Sequence, residues 1–432
     1  MGEFRHYHLR CPVCGDRTED DGITNECRND HEPALLSACY QAGELRPDDA
    51  EQGVYRYRAW LPVGRSLPGT ARTAVFRGER IGRSIGLADL WLAFNGYWPE
   101  KGAELETATF KDLEAYTVLG RLPAQSPTLV VASAGNTAAA FAAACSKYEM
   151  NCLLIIPESG MRRLVLPRET TRGIALVVVE QGDYTDAINL SEEIGRLPGF
   201  VLEGGAKNVG RRDGLGTVML SAFEEMGRLP DFYFQAVGSG TGAIAAHEAA
   251  RRLAGPGTRP PRLMMCQNAA FAPLHDAWRT GRLPGSAPSD PRADRAAVRG
   301  VVADELTNRR PPYAIRGGVR DVLLDSGGDV LVADSAATRS AIARFEELEG
   351  IDVEPAAGVA LACLSAAVDS GQVPADACVL LNVTGGGRAR AMREKPAVPV
   401  EPASRVRVVA GEVSRPVEQL AELSSPASRD LA

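Results

Sequence analysis

The chain has little histidine, no long apolar run and no excess of positive charge, and each lack narrows what it can be. Five histidines among 432 residues leave few side chains that titrate near neutral pH, so another group must carry most proton transfer. No apolar run approaches the roughly 18 residues that a membrane-crossing helix needs. The formal net charge of −7 argues against general nucleic-acid binding and gives no sign of a membrane-surface partner. The start, Met1-Gly-Glu-Phe-Arg-His-Tyr-His8, is polar and lacks the apolar centre of a secretion signal. A paired set of cysteines is missing too. There are nine, and Cys145, Cys152, Cys266, Cys363 and Cys378 sit in apolar segments, as reduced thiols do. The expected location is the cytoplasm. Hydrophobic residues at 45% and charged residues at 24% are ordinary for a globular protein, and the length suggests about two or three domains.

The first segment carries Cys11, Cys14, Cys27 and His31 in the spacing C-x2-C-x12-C-x3-H. Three thiolates and an imidazole at that spacing suit a structural zinc in a small ribbon, the alternative being a metal-free remnant. Four protein ligands leave no open position, so the role is structural either way. Further on, Gly82-Arg-Ser-Ile-Gly86 fits a hydrolase nucleophile pattern, but no strong strand precedes it and few histidines follow to complete a triad.

Lys111 lies at the centre of Thr107-Ala-Thr-Phe-Lys-Asp-Leu-Glu-Ala-Tyr116, where the spacing of Leu113, Ala115, Val118 and Leu119 predicts a helix. A lysine in the first turn of a helix meets a positive dipole end. The position suits an amine that must often be neutral, as a Schiff-base or general-base lysine is.

From Thr128 onward, short apolar runs alternate with helical patterns. The expected strands are 128–132, 152–156, 175–179, 200–202, 232–237, 262–268, 322–324, 330–332 and 379–381. Such alternation predicts parallel sheets covered by helices on both faces, with ligands at the carboxyl ends of the strands. Three loops there carry a message. Ser133, Ala134, Gly135, Asn136 and Thr137 form a small-residue loop that suits either a carboxylate at a helix start or a plain capped turn. Gly238, Ser239, Gly240, Thr241 and Gly242 form a glycine nest between a strand and a helix, a phosphate site by its N–H donors and dipole. It is neither a Rossmann dinucleotide site, because the next strand ends in amides where an acid is wanted, nor a P-loop, because no Gly-Lys-Ser/Thr closes it. Thr384, in Asn382-Val-Thr-Gly-Gly-Gly387, offers a hydroxyl among glycines, or else marks a flexible turn.

A lysine able to be neutral, an Asn-bearing loop, a phosphate nest and a late threonine together fit pyridoxal phosphate. Lys111 would take the aldehyde, Asn136 the ring hydroxyl, Gly238 to Gly242 the phosphate, and Thr384 the pyridine nitrogen. A hydroxyl at that nitrogen leaves the ring unprotonated, which suits β-elimination and replacement.

These residues resemble the fold-type II pyridoxal-phosphate family, that of the tryptophan synthase β chain and threonine synthase. Within it the chain is most similar to the archaeal cysteate synthases. The carrying segments are Asn95-Gly-Tyr-Trp-Pro-Glu-Lys-Gly102, Phe110-Lys-Asp-Leu-Glu-Ala115, Glu203-Gly-Gly-Ala-Lys-Asn-Val209, Arg211-Arg-Asp-Gly-Leu-Gly-Thr217 and Gln235-Ala-Val-Gly-Ser-Gly-Thr-Gly242. Thr109 stands where the family commonly has serine. The resemblance implies an α/β fold of two doubly wound domains with the cofactor in the cleft, plus the Cys/His ribbon-like segment at residues 1–40. The large domain is expected at 41–105 and 216–395, the small one at 106–215, and a polar tail at 396–432 that frays from Ser424. It also implies a homodimer acting on small molecules. The implied reaction is O-phospho-L-serine plus sulfite giving L-cysteate and phosphate by way of an aminoacrylate. Alternatives are a threonine synthase using a phosphohomoserine and water, or β-replacement on phosphoserine by another nucleophile. Ser133 to Thr137 would hold the substrate carboxylate, and Lys207, Arg211 and Arg212 are candidates to meet the leaving phosphate and the incoming sulfite.

Overall fold

A computed structural model describes residues 6–255, 257–284, 297–298, 300–309, 311–409 and 412–424. Two six-stranded sheets organise them. The first runs Asp329–Ala333, Arg262–Asn268, Phe232–Ala236, Cys378–Val383, Asp89–Phe94 and Ala74–Arg77 from edge to edge. All neighbours are parallel except the last pair. The second runs Phe200–Leu202, Thr128–Ala132, Cys152–Pro157, Ile174–Glu180, Ser404–Val409 and Glu412–Val413, again parallel except at the last pair. The central strands Cys152–Pro157 and Cys378–Val383 are buried at every residue. That is why Cys152 to Ile156 and Val379 to Leu381 read as unbroken apolar runs: a parallel strand covered on both faces has no solvent side to alternate with.

The helix Lys111–Arg121 packs along the helix Val209–Met226. Gly214 permits the approach, since a Cβ there would stand 2.6 Å from the Leu113 carbonyl oxygen. Ahead of both sheets, Tyr7–Arg10 pairs antiparallel with Arg17–Thr18 and with Ser37–Tyr40 to make a small three-stranded sheet. Arg121 is one of its links to the rest. The guanidinium donates to both carboxylate oxygens of Asp20 at 2.8 Å, to Asn25 Oδ1 at 2.9 Å and to Asn208 Oδ1 at 3.0 Å.

Two expectations need correction. Val322-Leu-Leu324 is not a strand but part of the helix Val319–Ser326. Val319, Val322, Leu323 and Ser326 are buried there, at helical spacing, while Leu324 is exposed. Glycines on both sides misdirected the reading; Gly327 is the left-handed C-cap of this helix, at φ +61°. The second concerns residues 396–432. Ser404–Val409 lies in the second sheet as a parallel neighbour of Ile174–Glu180; the helix Val417–Glu422 that follows falls within Val413 to Leu423, where the sequence suggests one short helix. Ser404 and Val406 are buried while Arg405 and Arg407 are exposed, a period of two hidden by the polar composition. Residues 425–432, expected to fray, lie outside the described residues.

Candidate active site

Lys111 is the first residue of its helix, and the loop before it is pinned from two sides. Asp112 accepts from the Thr107 N–H at 2.9 Å and from its hydroxyl at 2.5 Å; burial pushes the Asp112 carboxyl up to about 7. Phe110 N donates to Thr384 O at 2.9 Å and Gly386 N to Ala108 O at 3.1 Å. Ala108 itself sits at φ +57°, a region that is costly for a residue with a Cβ. The lysine loop and the Thr384 loop are therefore one stapled unit, although their key side chains stand 273 positions apart in the sequence.

The strand ends open on a cleft between the two sheets. Lys111, Ser133 to Thr137, Arg211, Gly238 to Gly242 and Thr384 all line it. Pyridoxal phosphate fits what these residues offer. Asn136 Oδ1 and Thr384 Oγ1 are buried and have no protein hydrogen-bond partner, as expected of atoms reserved for a ligand. The glycine loop is tight: Gly240 has φ +81° and opens the helix Thr241–Ala254. A Cβ on Gly242 would stand 2.5 Å from Gln235 Nε2 and 2.9 Å from Phe110 Cε2. A glycine loop at a helix start, with the Ser239 and Thr241 hydroxyls 2.8 Å apart, has the make-up of a phosphate cradle.

Charge in the cleft is arranged around Arg211. It binds Glu203 through Nε at 2.6 Å and Nη2 at 2.5 Å, and its Nη2 lies 3.5 Å from Glu114 Oε1. Lys111 Nζ lies 3.1 Å from Glu114 Oε2. Burial pushes the Lys111 amine below the ordinary lysine range; Glu114 opposes that shift and the charge of Arg211 adds to it. Burial likewise raises the Glu203 carboxyl, against the pull of Arg211. Glu305 and Glu354 also line the cleft. Burial raises Glu305 to about 7 although Arg163 stands 3.0 Å away.

Of the three cations read from sequence, the structure brings only Arg211 to the cleft. Lys207 pairs with Glu26 on the exterior. Arg212 turns away from the cleft, donating to the carbonyls of Leu36 and Ala206 and pairing with Glu248 at 3.0 Å. Consecutive helical residues point about 100° apart, so a basic run on a helix cannot all face one cavity. Glu114 is the residue the sequence reading passed over. Its signal was available: an acid one turn after the lysine, between Leu113 and Ala115 of the apolar spacing.

In the ribbon, the ligand atoms of Cys11, Cys14, Cys27 and His31 all lie within 4.8 Å of one another. Cys11 Sγ is 3.3 Å from His31 Nε2, and Cys14 Sγ is 3.7 Å from Cys27 Sγ. His31 Nδ1 contacts the Glu32 carbonyl at 2.7 Å, the outer-shell contact that turns the other nitrogen toward a metal. Asn29 donates to Cys14 Sγ at 3.4 Å, and this bond is the largest cause of a Cys14 pKa lowered to about 6. Three sulfurs and a nitrogen with no open position can hold a structural zinc.

Residues 71–385 match the family described as pyridoxal-phosphate dependent enzyme. The cysteate synthase of Methanospirillum hungatei is 44% identical over 396 residues, covering 90% of this chain and 92% of the relative. That of Methanoculleus marisnigri is 45% identical over 408 residues, covering 93% of each. Among solved structures, maize serine racemase superposes with a TM-score of 0.56 at 19% identity, over 74% of this chain and 92% of that one. The serine racemase of Dictyostelium discoideum gives 0.54 at 16%, over 73% and 92%. These two speak for the fold alone. The chain belongs to the fold-type II pyridoxal-phosphate dependent enzymes and, within them, to the cysteate synthases.

Proposed function

We propose that this enzyme replaces the phosphate of O-phospho-L-serine with sulfite, giving L-cysteate and inorganic phosphate. The observation that carries the reading is near-full-length identity of 40–45% to cysteate synthases, in a chain whose cleft presents a lysine, a small-residue loop and a phosphate cradle together. Lys111, Asn136, the Gly238–Gly242 loop and Thr384 would hold the cofactor. Bound there, pyridoxal phosphate supplies a sink for the electron pair left at the substrate α-carbon.

The chain's own groups do the rest. Ser133 Oγ accepts from the N–H groups of Gly135 at 2.9 Å and Ala138 at 3.1 Å. That fixes a loop whose small residues admit the substrate carboxylate. Lys111 Nζ takes the α-proton and later returns it. Between those events the β-carbon–oxygen bond breaks, its electron pair leaving with phosphate, and a sulfite lone pair forms the carbon–sulfur bond. Arg211 is the cation of the cleft nearest to Lys111. Zinc in the Cys/His ribbon, a homodimeric assembly and a cytoplasmic location belong to the same proposal; no helix among the described residues is long and apolar enough to cross a membrane.

The test follows phosphate release from O-phosphoserine with and without sulfite, together with product analysis. Sulfite-sustained release with accumulating cysteate is the expected outcome. Threonine formed from phosphohomoserine, with no cysteate from phosphoserine, would move the enzyme to the threonine synthase reaction.

A further inference from the structure

We propose that Glu114 is the positioning residue for Lys111, fixing where the freed amine stands and keeping it basic enough to take and hold the α-proton. The proposal rests on the reading of Lys111 as the proton carrier. Glu114 lies one turn beyond Lys111 on the same helix and is wholly buried. Both of its oxygens are engaged. Oε2 accepts from Lys111 Nζ at 3.1 Å. Oε1 accepts from the Thr137 hydroxyl at 2.8 Å and lies 3.5 Å from Arg211 Nη2. One carboxylate thus joins the lysine helix, the helix that follows the Ser133 loop, and the helix that carries Arg211.

An exposed lysine–glutamate pair at this spacing stabilises a helix by only a few tenths of a kcal/mol. A buried carboxylate is costly unless a specific geometry repays it. The repayment here lies in the charge count. Two carboxylates, Glu114 and Glu203, face one guanidinium, Arg211. With both ionised, the cluster is one positive charge short until Lys111 is protonated. Nζ also stands 4.7 Å from the Phe110 ring, which carries no charge. Tyr184, Glu305 and Glu354 line the same cleft, and the two acids there are answered by their own cations, Glu305 by Arg163 at 3.0 Å and Glu354 by Arg388 at 3.4 Å. Moving a proton from the α-carbon to Nζ therefore completes the cluster, with the new ammonium beside Glu114. The proton goes back to the α-carbon once the carbon–sulfur bond has replaced the carbon–oxygen bond, and the cluster returns to its starting charge.

The test is Glu114→Gln, which keeps the shape and removes the charge. The holoenzyme should retain its cofactor absorbance and its KM for phosphoserine. Its kcat should fall about 100-fold, the low end of what a positioned acid–base group contributes, and the limb of the pH profile that reports Lys111 should move to lower pH. Independently of turnover, the pH dependence of Lys111 labelling by an amine reagent, read by mass spectrometry on the full chain freed of cofactor, should move the same way. Coincident labelling curves, or an unchanged kcat and pH profile, would overturn the proposal. Glu114→Asp keeps the charge but withdraws it. Its pH limb should stay with the parent while kcat falls about tenfold, so an unchanged kcat there overturns the proposal even if the glutamine variant does not fold. A parent enzyme that makes no cysteate would sink the reaction proposed above, and the labelling curves would still decide the role of Glu114.

Discussion

The two ends of the helix Lys111–Arg121 carry the same kinds of side chain and do opposite things with them. At the far end Arg121, with its side chain 1% exposed, meets a carboxylate, two amide oxygens and the Thr24 carbonyl, and every donor direction is answered within the fold. At the near end Lys111 and Arg211 share Glu114 and Glu203, and the cleft beside them holds two polar atoms, on Asn136 and Thr384, with no partner in the protein. A satisfied network rigidifies; an incomplete one is where a ligand enters. Because Lys111 and Arg121 are the first and last residues of one eleven-residue helix, the ribbon holds the reactive end in place from the other end of the same rigid element.

Substitutions at the two ends should separate cleanly. Lys111→Ala should give the largest effect of any. Loss of the amine removes both the cofactor link and the proton carrier, so kcat should drop by at least about 10³-fold. The visible band of a lysine-linked cofactor should vanish, while the denaturation midpoint of the apoprotein moves little. Substantial residual turnover at this variant would place the chemistry on another residue.

Arg121→Met should do the reverse. Removing one partner of a buried pair leaves Asp20 uncompensated, at about 3–5 kcal/mol, read as a lower denaturant midpoint. Acid should act through the same pair. Burial works to raise the Asp20 pKa, but the hydrogen bond and charge of Arg121 outweigh it and the net shift is downward. A carboxylate with a depressed folded-state pKa stabilises above its unfolded value, near 3.9, and loses that contribution as pH falls through the folded one. The parent should therefore lose stability more steeply in acid than Arg121→Met does. Parallel acid curves would mean that Asp20 is not the group being titrated.

The sequence announced these two ends unequally. The Ser133 loop, the glycine nest and Thr384 were legible because each follows an apolar strand, where backbone geometry restricts the residues that fit, and Lys111 because it opens a helix, where a cation is out of place. Arg121 and Asp20 were not, since 101 residues separate them and neither stands in a motif. Glu114 fell between: its spacing from Lys111 was visible, but only packing shows that this helix buries its acid. The strand Ser404–Val409 was hidden because outward arginines outweighed inward small and apolar residues in the composition. A run of charge tells that a segment meets solvent somewhere, not which of its residues does.

Lys207→Ala is the smallest expected effect, and it tests that last point. The stretch from Glu203 to Asn208 looks like a basic, glycine-rich patch beside a substrate. In the structure it is a docking strip for the ribbon. A Cβ on Gly204 would stand 2.3 Å from Asn25 Nδ2, Asn208 caps the Arg211 helix while accepting from Arg121, and Lys207 reaches Glu26 with its side chain 44% exposed. Exposed pairs contribute about 0–1 kcal/mol, so stability should change by no more than that. The KM for phosphoserine should stay within about twofold, the equivalent of the ~0.5 kcal/mol typical of surface substitutions. A tenfold rise in KM would mean that the ribbon strip swings Lys207 into the cleft when substrate binds, and the two ends of the helix would then no longer be separate in function.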